Sequence, residues 1–249
     1  MATVRPFRAV RPNKDDAEKV ASLPYDVMNR PEAKEMAGDN DKSYLHIVRS
    51  EIDLPDSVGD YEPEVYQKAK ENLARFIEEG TLVRDDMPMF YIYRQIMKGR
   101  VQTGLVATAS IDEYMNNSIK KHEFTREAKE LDRINHFDVT DANTEPIFLT
   151  YRHVDEIERL MNDYIKFNDP DYDFTTEDGI THIFWAIRDE KINEQIEAEF
   201  KNVPALYIAD GHHRSASSAK VGLKRREENP NYDGSEEFNY FMSVLFSDK

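Results

Sequence analysis

The chain has 249 residues, of which 39% are hydrophobic, so it is long enough for one large domain or two small domains with a proper core. Its net charge of -16 argues against general binding to nucleic acid or anionic lipid, and the absence of cysteine excludes disulfides, thiolate catalysis and thiolate metal sites. No apolar run approaches the length of a membrane span and the N-terminus lacks the apolar region of a signal peptide, so a cytoplasmic protein is predicted.

The first 60 residues are punctuated by prolines and are predicted to form short extended pieces. A short helix is predicted to start near Pro31 and to stop at Gly38. Apolar side chains at helical spacing then predict a longer helix over residues 63–79. This is the clearest helix in the sequence because its apolar residues all fall on one face.

Two strand-like runs follow the long helix, at residues 89–97 and 101–111. Lys98-Gly99 lies between them and suits a two-residue turn, so the runs are predicted to pair as an antiparallel hairpin over residues 89–111. Together with the long helix, this hairpin defines a predicted N-terminal α/β region, residues 1–115.

The second predicted region, residues 116–249, alternates strand-like and helix-like runs. Thr125 is predicted to cap a helix that runs toward His136. The other predicted elements are strands at 147–151, 180–187, 205–209 and 238–246, and helices around 154–165, 192–200 and 214–226. The last strand ends close to residue 249, and its pairing partner is expected in a C-terminal portion beyond the chain. Strands and helices mixed with an early hairpin predict the α+β class, as mixed α/β with an antiparallel hairpin.

Several polar residues outside the main motifs have both a functional and a structural interpretation. The arginines of the N-terminal arm are able to reach an anionic ligand, although a solvated basic arm is the commoner outcome. The structural interpretation is preferred for all of them, namely Tyr25-Asp26 in a turn with a packed ring, Arg5, Arg8 and Arg11 on a solvated arm, and His46 and His182 as strand or core histidines.

The stretch YIADGHHRSA, residues 207–216, follows a predicted buried strand and begins a predicted helix. Gly211 allows the backbone to approach a ligand closely, and the first turn of a helix offers unpaired N–H groups at the positive end of its dipole. His212 and His213 are hydrogen-bond donors, and the planar fork of Arg214 matches phosphate oxygens. These features together predict a phosphate-binding corner.

Asp210 is the awkward member of this corner because it would repel phosphate. It fits if it holds Mg²⁺, accepts the N–H groups of its own loop, or orients a histidine. The alternative is that Asp210 and Gly211 form an ordinary turn at the start of a surface helix, and the spacing alone favours neither interpretation.

Residues 205–226 carry a local charge of +4, since five lysines and arginines stand against Asp210 alone. Such a segment would attract a small anion. The alternative is a solvated basic helix end, because Lys and Arg favour the last turn of any helix.

A second stretch, IKKHEFTRE at residues 119–127, places His122 and Glu123 just before the predicted helix. A carboxylate at the end of an element is able to serve as general base for a hydroxyl within hydrogen-bond reach. The alternative, which these residues alone favour, is a charged surface turn in which Lys120 and Lys121 balance Glu123.

Five ordered motifs carry a resemblance to a known family: VRPFRAVRP, LPYDVMNR, YIYRQIMKGRVQTGLVA, IKKHEFTRE and YIADGHHRSASSAKV. Together they resemble the bacterial and archaeal domain-of-unknown-function family 1015 (DUF1015) over the whole chain. Family members generally continue past residue 249, so the resemblance implies a missing C-terminal portion. The DGHHR corner is also similar to the second box of the ParB/sulfiredoxin-like fold, in which a Gly-x-x-Arg turn at a helix start binds nucleotide phosphates.

The second resemblance implies a ParB/sulfiredoxin-like core in residues 116–249, with the N-terminal elements added to it. Some members of that fold are free-serine kinases with a glutamate as base. By that likeness, Glu123 is the expected base, His122 beside it is also expected to be catalytic, and the cofactors are ADP or ATP with Mg²⁺. The residues implied to hold nucleotide phosphates are Asp210, Gly211, His212, His213, Arg214 and Ser215, with Asp210 also a Mg²⁺ ligand and both histidines also catalytic.

Three functions are compatible with these patterns. The leading hypothesis is a nucleotide-dependent phosphotransferase that acts on a small hydroxylated metabolite, with free serine as the first candidate. The second is a phosphatase in which a histidine assists hydrolysis of a phosphorylated metabolite. The third is a non-catalytic nucleotide-binding regulatory module. No membrane partner is expected, and binding of nucleic acid is disfavoured by the charge.

Overall fold

The helices and strands of the chain alternate in a mixed α+β fold, described for residues 1–249 by a computed structural model. The helices are α1 (Ala17–Val20), α2 (Arg30–Ala37), α3 (Leu45–Val48), α4 (Pro63–Glu78), α5 (Ile111–Met115), α6 (Glu127–Thr140), α7 (Asp155–Phe167), α8 (Glu190–Phe200) and α9 (His212–Glu228). Short 3-10 turns cover Tyr25–Val27, Ser50–Asp53 and Glu237–Asn239. None of the helices combines the length and the apolar composition that crossing a bilayer requires.

The strands form one large sheet and one small ribbon. They are β1 (Val4–Arg5), β2 (Val10–Pro12), β3 (Leu82–Arg84), β4 (Tyr91–Met97), β5 (Arg100–Ser110), β6 (Ile119–Lys120), β7 (Ile147–Tyr151), β8 (Tyr172–Thr175), β9 (Thr181–Ala186), β10 (Leu206–Asp210) and β11 (Tyr240–Ser247). The large sheet runs in the order β6-β10-β7-β11-β5-β4-β9-β8, with β1 paired to the far end of β5, and β2 pairs with β3 in the ribbon.

Most neighbours in the large sheet are antiparallel. The exceptions are β6 with β10 and β7 with β11, which run parallel. Strands of both predicted regions share this one sheet, because β5 of the first region pairs directly with β11 of the second, and β4 pairs with β9.

The predicted hairpin is confirmed as β4 and β5. Lys98 and Gly99 both adopt positive φ, 51° and 81°, which is the backbone that a two-residue turn of the I′ type requires. The predicted helix 63–79 is confirmed as α4, and the predicted short helix as α2, which begins with a capping box between Asn29 and Glu32.

The main core lies on one face of the large sheet and contains 28 buried residues in a single cluster. Inward-facing residues alternate along the strands, as in Ile147, Leu149 and Tyr151 of β7, since successive side chains of a strand point to opposite faces. Helices α5, α7 and α8 contribute buried side chains to the same cluster, and α9 adds Ala216 and Ala219.

The second face of the sheet is partly covered by the N-terminal segment. Phe7 packs edge-on against Tyr91 at 5.3 Å between ring centroids, and Tyr91 stacks on Phe184 at 5.4 Å. This aromatic row anchors the segment that leads into the β2-β3 ribbon.

Three local predictions need correction. The strand predicted to lack a partner is β11, which lies between β5 and β7 and pairs with both. His46, predicted as a strand or core histidine, lies in helix α3, where its Nδ1 is 2.8 Å from Asp53. Thr125 does not cap α6, because its hydroxyl donates to the side chain of Glu130 at 2.7 Å and Arg126 occupies the cap position without a side-chain bond.

Candidate functional site

The corner between β10 and α9 turns on Gly211, which has φ 92° and ψ 32°. Side chains other than glycine rarely adopt this left-handed backbone. A Cβ at this position would also stand 3.2 Å from Nε of Arg214 and 3.4 Å from Ile147. The helix that follows has no side-chain cap, so the amides of its first turn lack the partner that a capping residue supplies.

Arg214 lies inside the corner, with only 5% of its surface exposed. One terminal nitrogen donates to the carbonyl oxygen of Pro146 at 2.6 Å, and the other donates to Oδ2 of Asp210 at 2.5 Å. Both nitrogens of the predicted phosphate fork are therefore engaged within the protein. Direct contact between Arg214 and a phosphate stays a prediction.

Asp210 and Ser215 flank the turn differently. The side chain of Asp210 is 66% exposed, so its second oxygen faces solvent while Arg214 holds the first. Ser215 is completely buried, and its hydroxyl donates to the carbonyl oxygen of Gly211 at 2.9 Å. Asp210 is thus available to a ligand, whereas Ser215 stabilises the first turn of α9.

The two stretches that the sequence separates by 90 residues lie against each other. The backbone N–H of His122 donates to Nε2 of His212 at 3.4 Å, and their rings meet edge to face at 4.3 Å. The backbone N–H of Arg126 donates to Nε2 of His213 at 3.0 Å. The pair of histidines therefore docks segment 122–126 onto the start of α9.

These contacts set the tautomer of His212. Its Nε2 accepts the hydrogen bond from the backbone N–H of His122, so the neutral ring carries its hydrogen on Nδ1. Nδ1 lies 3.7 Å from Oε2 of Glu123, whose side chain is 62% exposed. Burial lowers the pKa of His212, and the neighbouring His122 lowers it further, while Glu123 and Asp210 act in the opposite direction. The corner thus holds a neutral imidazole beside an exposed carboxylate.

A buried charged group lies beside the corner: Glu145 directly precedes Pro146, whose carbonyl oxygen accepts from Arg214. Glu145 accepts the backbone N–H of Tyr25 at 3.0 Å, and the guanidinium of Arg133 lies over the ring of Tyr25 at 3.9 Å. Arg133 also donates to Asp132 at 3.0 Å. Burial raises the pKa of Glu145, and the charges of Arg133 and Arg214 oppose that rise. Tyr25 is the packed aromatic that the sequence predicted, whereas Glu145 and Arg133 were missed because isolated buried charges leave no periodic signal.

The basic side of α9 is neutralised by carboxylates from elsewhere in the chain. Lys220 pairs with Glu130, Lys224 with Asp138, Arg225 with Asp138 and Asp141, and Arg226 with Asp112. The local positive charge counted along the sequence is therefore paired in three dimensions, and it does not present a free anion-attracting surface.

No group of three or more His, Asp or Glu side chains is arranged to hold a metal ion by itself. Asp210 supplies a single free carboxylate oxygen at the corner. Mg²⁺ is commonly bound by one or two carboxylates together with substrate phosphates and water. A single carboxylate at the corner fits only this shared kind of site, in which the phosphates supply the other ligands.

A family model described as a protein of unknown function, DUF1015, matches residues 4–249. Neither the curated proteins nor the solved structures contain a match to the chain. The ParB/sulfiredoxin-like core therefore stays a prediction that rests on the DGHHR corner alone.

Proposed function

We propose that this chain, which belongs to the DUF1015 family of unknown function, is a nucleotide-dependent phosphotransferase. The proposal rests on the geometry of the corner between β10 and α9. The proposed acceptor is a small hydroxylated metabolite, with free serine as the first to test. ADP or ATP with Mg²⁺ is the proposed donor.

The observation that carries this proposal is the approach of Glu123 to the start of α9. Its carboxylate lies 3.7 Å from His212, at a helix start that has no side-chain cap. A base for a hydroxyl and a backbone that favours phosphate are the two requirements of this reaction, and they come from stretches 90 residues apart.

Each group of the corner has a proposed role. The amides at the start of α9 bind phosphate oxygens, and the free oxygen of Asp210 holds the cation together with those phosphates. Arg214 positions Asp210 through their 2.5 Å contact. When bound, the nucleotide with its cation supplies the phosphoryl group.

Glu123 is the proposed base. It accepts the proton of the acceptor hydroxyl as that oxygen forms a bond to phosphorus, and the bond between phosphorus and the nucleotide oxygen breaks. The products are a phosphorylated metabolite and the nucleotide with one phosphate fewer. His212 is a positioning residue, because its Nδ1–H faces the carboxylate of Glu123.

The test replaces the base without changing its size. We expect Glu123→Gln to keep nucleotide binding and to lose turnover by about 10²- to 10⁴-fold, the usual contribution of a general base. Phosphoserine formed from serine with ADP or ATP and Mg²⁺ measures turnover. A thermal-shift panel of ADP, ATP, CTP, phosphoserine and phosphate, with and without Mg²⁺, measures binding to the folded state.

Glu127→Gln is the matched control, since Glu127 is an exposed carboxylate four residues away that does not contact the corner histidines. Unchanged turnover in Glu123→Gln would remove Glu123 from the mechanism. Release of inorganic phosphate from phosphoserine without nucleotide would instead identify a phosphatase, and a nucleotide-induced thermal shift without any product would identify a binding module.

A further inference from the structure

A cleft of about 800 Å³ lies apart from the corner. It is bounded by the N-terminal segment Phe7–Val10, by α4, by the end of α6 with the loop that follows, by the second half of α9, and by β11. None of residues 119–127 or 207–216 lines it. Its volume falls in the range of sites for small molecules. We call it the arginine cleft after Arg8 and Arg84, which line it.

Arg8 and Arg84 form no ion pair. Nε of Arg8 donates to the backbone carbonyl of Asp85 at 2.9 Å, and its terminal nitrogens have no protein acceptor. The carboxylate of Asp85 is already occupied, because Arg11 donates to both of its oxygens at 2.8 and 2.9 Å. Arg84 is exposed and makes no side-chain hydrogen bond.

These two arginines differ from the basic residues of α9. Each basic side chain of α9 has a carboxylate partner, as Arg225 has in Asp138, although Arg225 also lines the cleft. The lining contains three arginines against two carboxylates, Asp141 and Glu237. The cleft is therefore locally positive in a chain with a net charge of -16, and two of its guanidinium groups are unpaired.

The rest of the lining is largely apolar, with 13 hydrophobic residues among 24. Ile77 of α4 is 44% exposed and Val10 is 37% exposed. A ligand with an apolar body would remove such side chains from water, which favours binding in proportion to the apolar surface covered.

We propose that the arginine cleft binds a small organic anion, one with an aromatic or aliphatic body and a negatively charged head group. Arg8 and Arg84 hold the head group through their free terminal nitrogens, and the apolar wall holds the body. Guanidinium groups suit this role because their planar fork matches the oxygens of carboxylate, phosphate or sulfonate. The site does not depend on the function proposed for the corner.

Two probes with the same aromatic body distinguish the contribution of the charged head group to binding from that of the apolar lining. The anionic probe is 8-anilinonaphthalene-1-sulfonate, and the neutral probe is N-phenyl-1-naphthylamine, which lacks the sulfonate. We expect the double variant Arg8→Ala/Arg84→Ala to weaken binding of the anionic probe by about tenfold or more, and that of the neutral probe by less than about twofold. Fluorescence titration of the folded chain measures both affinities.

The wall is tested with Val221→Trp, because Val221 lines the cleft from α9. Because the larger side chain would fill the cleft, it should weaken the binding of both probes. The control for loss of an unpaired arginine is Arg100→Ala, which removes one positive charge, since Arg100 forms no ion pair and lies outside the arginine cleft.

Displacement of the anionic probe by adenosine monophosphate supports an aromatic ligand, and displacement by octanoate supports an aliphatic one. Failure of both competitors would overturn the proposal. It would also be overturned if the double variant bound the anionic probe as well as the unmodified chain, or if Arg100→Ala weakened that probe equally.

Discussion

The corner at the start of α9 and the arginine cleft use the same residue type in opposite ways. In the corner, Arg214 is 5% exposed and both of its terminal nitrogens bind protein oxygens. In the cleft, Arg8 and Arg84 lie at the surface and form no ion pair. Arg214, in the motif predicted to bind phosphate, is thus held by protein oxygens, whereas Arg8 and Arg84, which carried no preferred functional prediction, have free terminal nitrogens. An arginine must be assigned a role from its partners rather than from its neighbours in sequence.

The difference has a physical origin in how guanidinium groups are satisfied. A buried guanidinium requires acceptors for its donors, and Asp210 with the Pro146 carbonyl supplies them. An exposed guanidinium is satisfied by water, so it stays available to exchange water for a ligand. The two regions should therefore respond differently to the same substitution.

The largest expected effect is on the free energy of unfolding. We expect Arg214→Ala to lower it by about 3 kcal/mol, because two hydrogen bonds and the packing of a buried side chain are lost. Arg84→Ala should change it by less than about 0.5 kcal/mol, since Arg84 is exposed and unpaired. Urea denaturation followed by circular dichroism measures both values. Equal losses in the two variants would break the comparison between the regions.

A smaller effect is expected at Gly222, on the part of α9 that lines the cleft. A Cβ at this position would stand 2.4 Å from the carbonyl oxygen of Phe238 and 2.7 Å from Ile111. Alanine favours a helix over glycine by about 1 kcal/mol, but overpacking against backbone costs about 1–3 kcal/mol, so Gly222→Ala should destabilise the chain by up to about 2 kcal/mol.

Gly59→Ala is the control for this prediction, because its added Cβ would meet only the flexible side chain of Glu62 at 3.4 Å. Thermal unfolding of both variants measures the difference. If Gly222→Ala were as stable as the control, the close approach of α9 to Phe238 would not require a glycine at position 222.

The smallest effect concerns the protonation of His212. Its pKa should lie below the ordinary 6.5, because burial and His122 both disfavour the charged ring. Glu123→Gln should lower this pKa further, since the carboxylate stabilises the protonated form. NMR titration of the ring measures both values, and a pKa that rises in Glu123→Gln would contradict the arrangement of the corner.

The same shift affects stability at low pH. The unfolded chain protonates His212 at its ordinary pKa of 6.5, whereas the folded chain does so only at lower pH. Between these two values the unfolded state binds more protons, so the free energy of unfolding falls as the pH drops through this window. Above pH 6.5 this contribution is complete, and Glu123→Gln should extend the window downward.

Much of the fold was predictable from local pattern. Helix α4 and the β4-β5 hairpin were predicted within a few residues, because apolar spacing and the Lys98-Gly99 turn are properties of neighbouring residues. The position of β11 was not, since the pairing of a strand depends on segments more than 90 residues away. The same limit explains why a strand was one of the two expectations for His46: a run of five residues is too short to distinguish a strand from the single turn of α3.

Part of the candidate site was likewise predictable from local sequence, and part was not. Sequence indicated the residue types of the corner, the glycine that its backbone needs and the carboxylate at Glu123. The burial of Arg214, the docking of His122 on His212 and the support from Glu145 depend on contacts between distant segments. So does the pairing of the basic residues of α9, whose partners lie on α5 and α6.

By itself the sequence determined the α+β class, most helices and strands, and the backbone turn at Gly211, because these follow from short-range periodicity and from the steric freedom of single residues. Only the tertiary structure decided which charges are paired, which arginines are free and where the cleft opens. Electrostatic pairing and solvent exposure depend on distances in space, and a linear count of charges does not contain those distances.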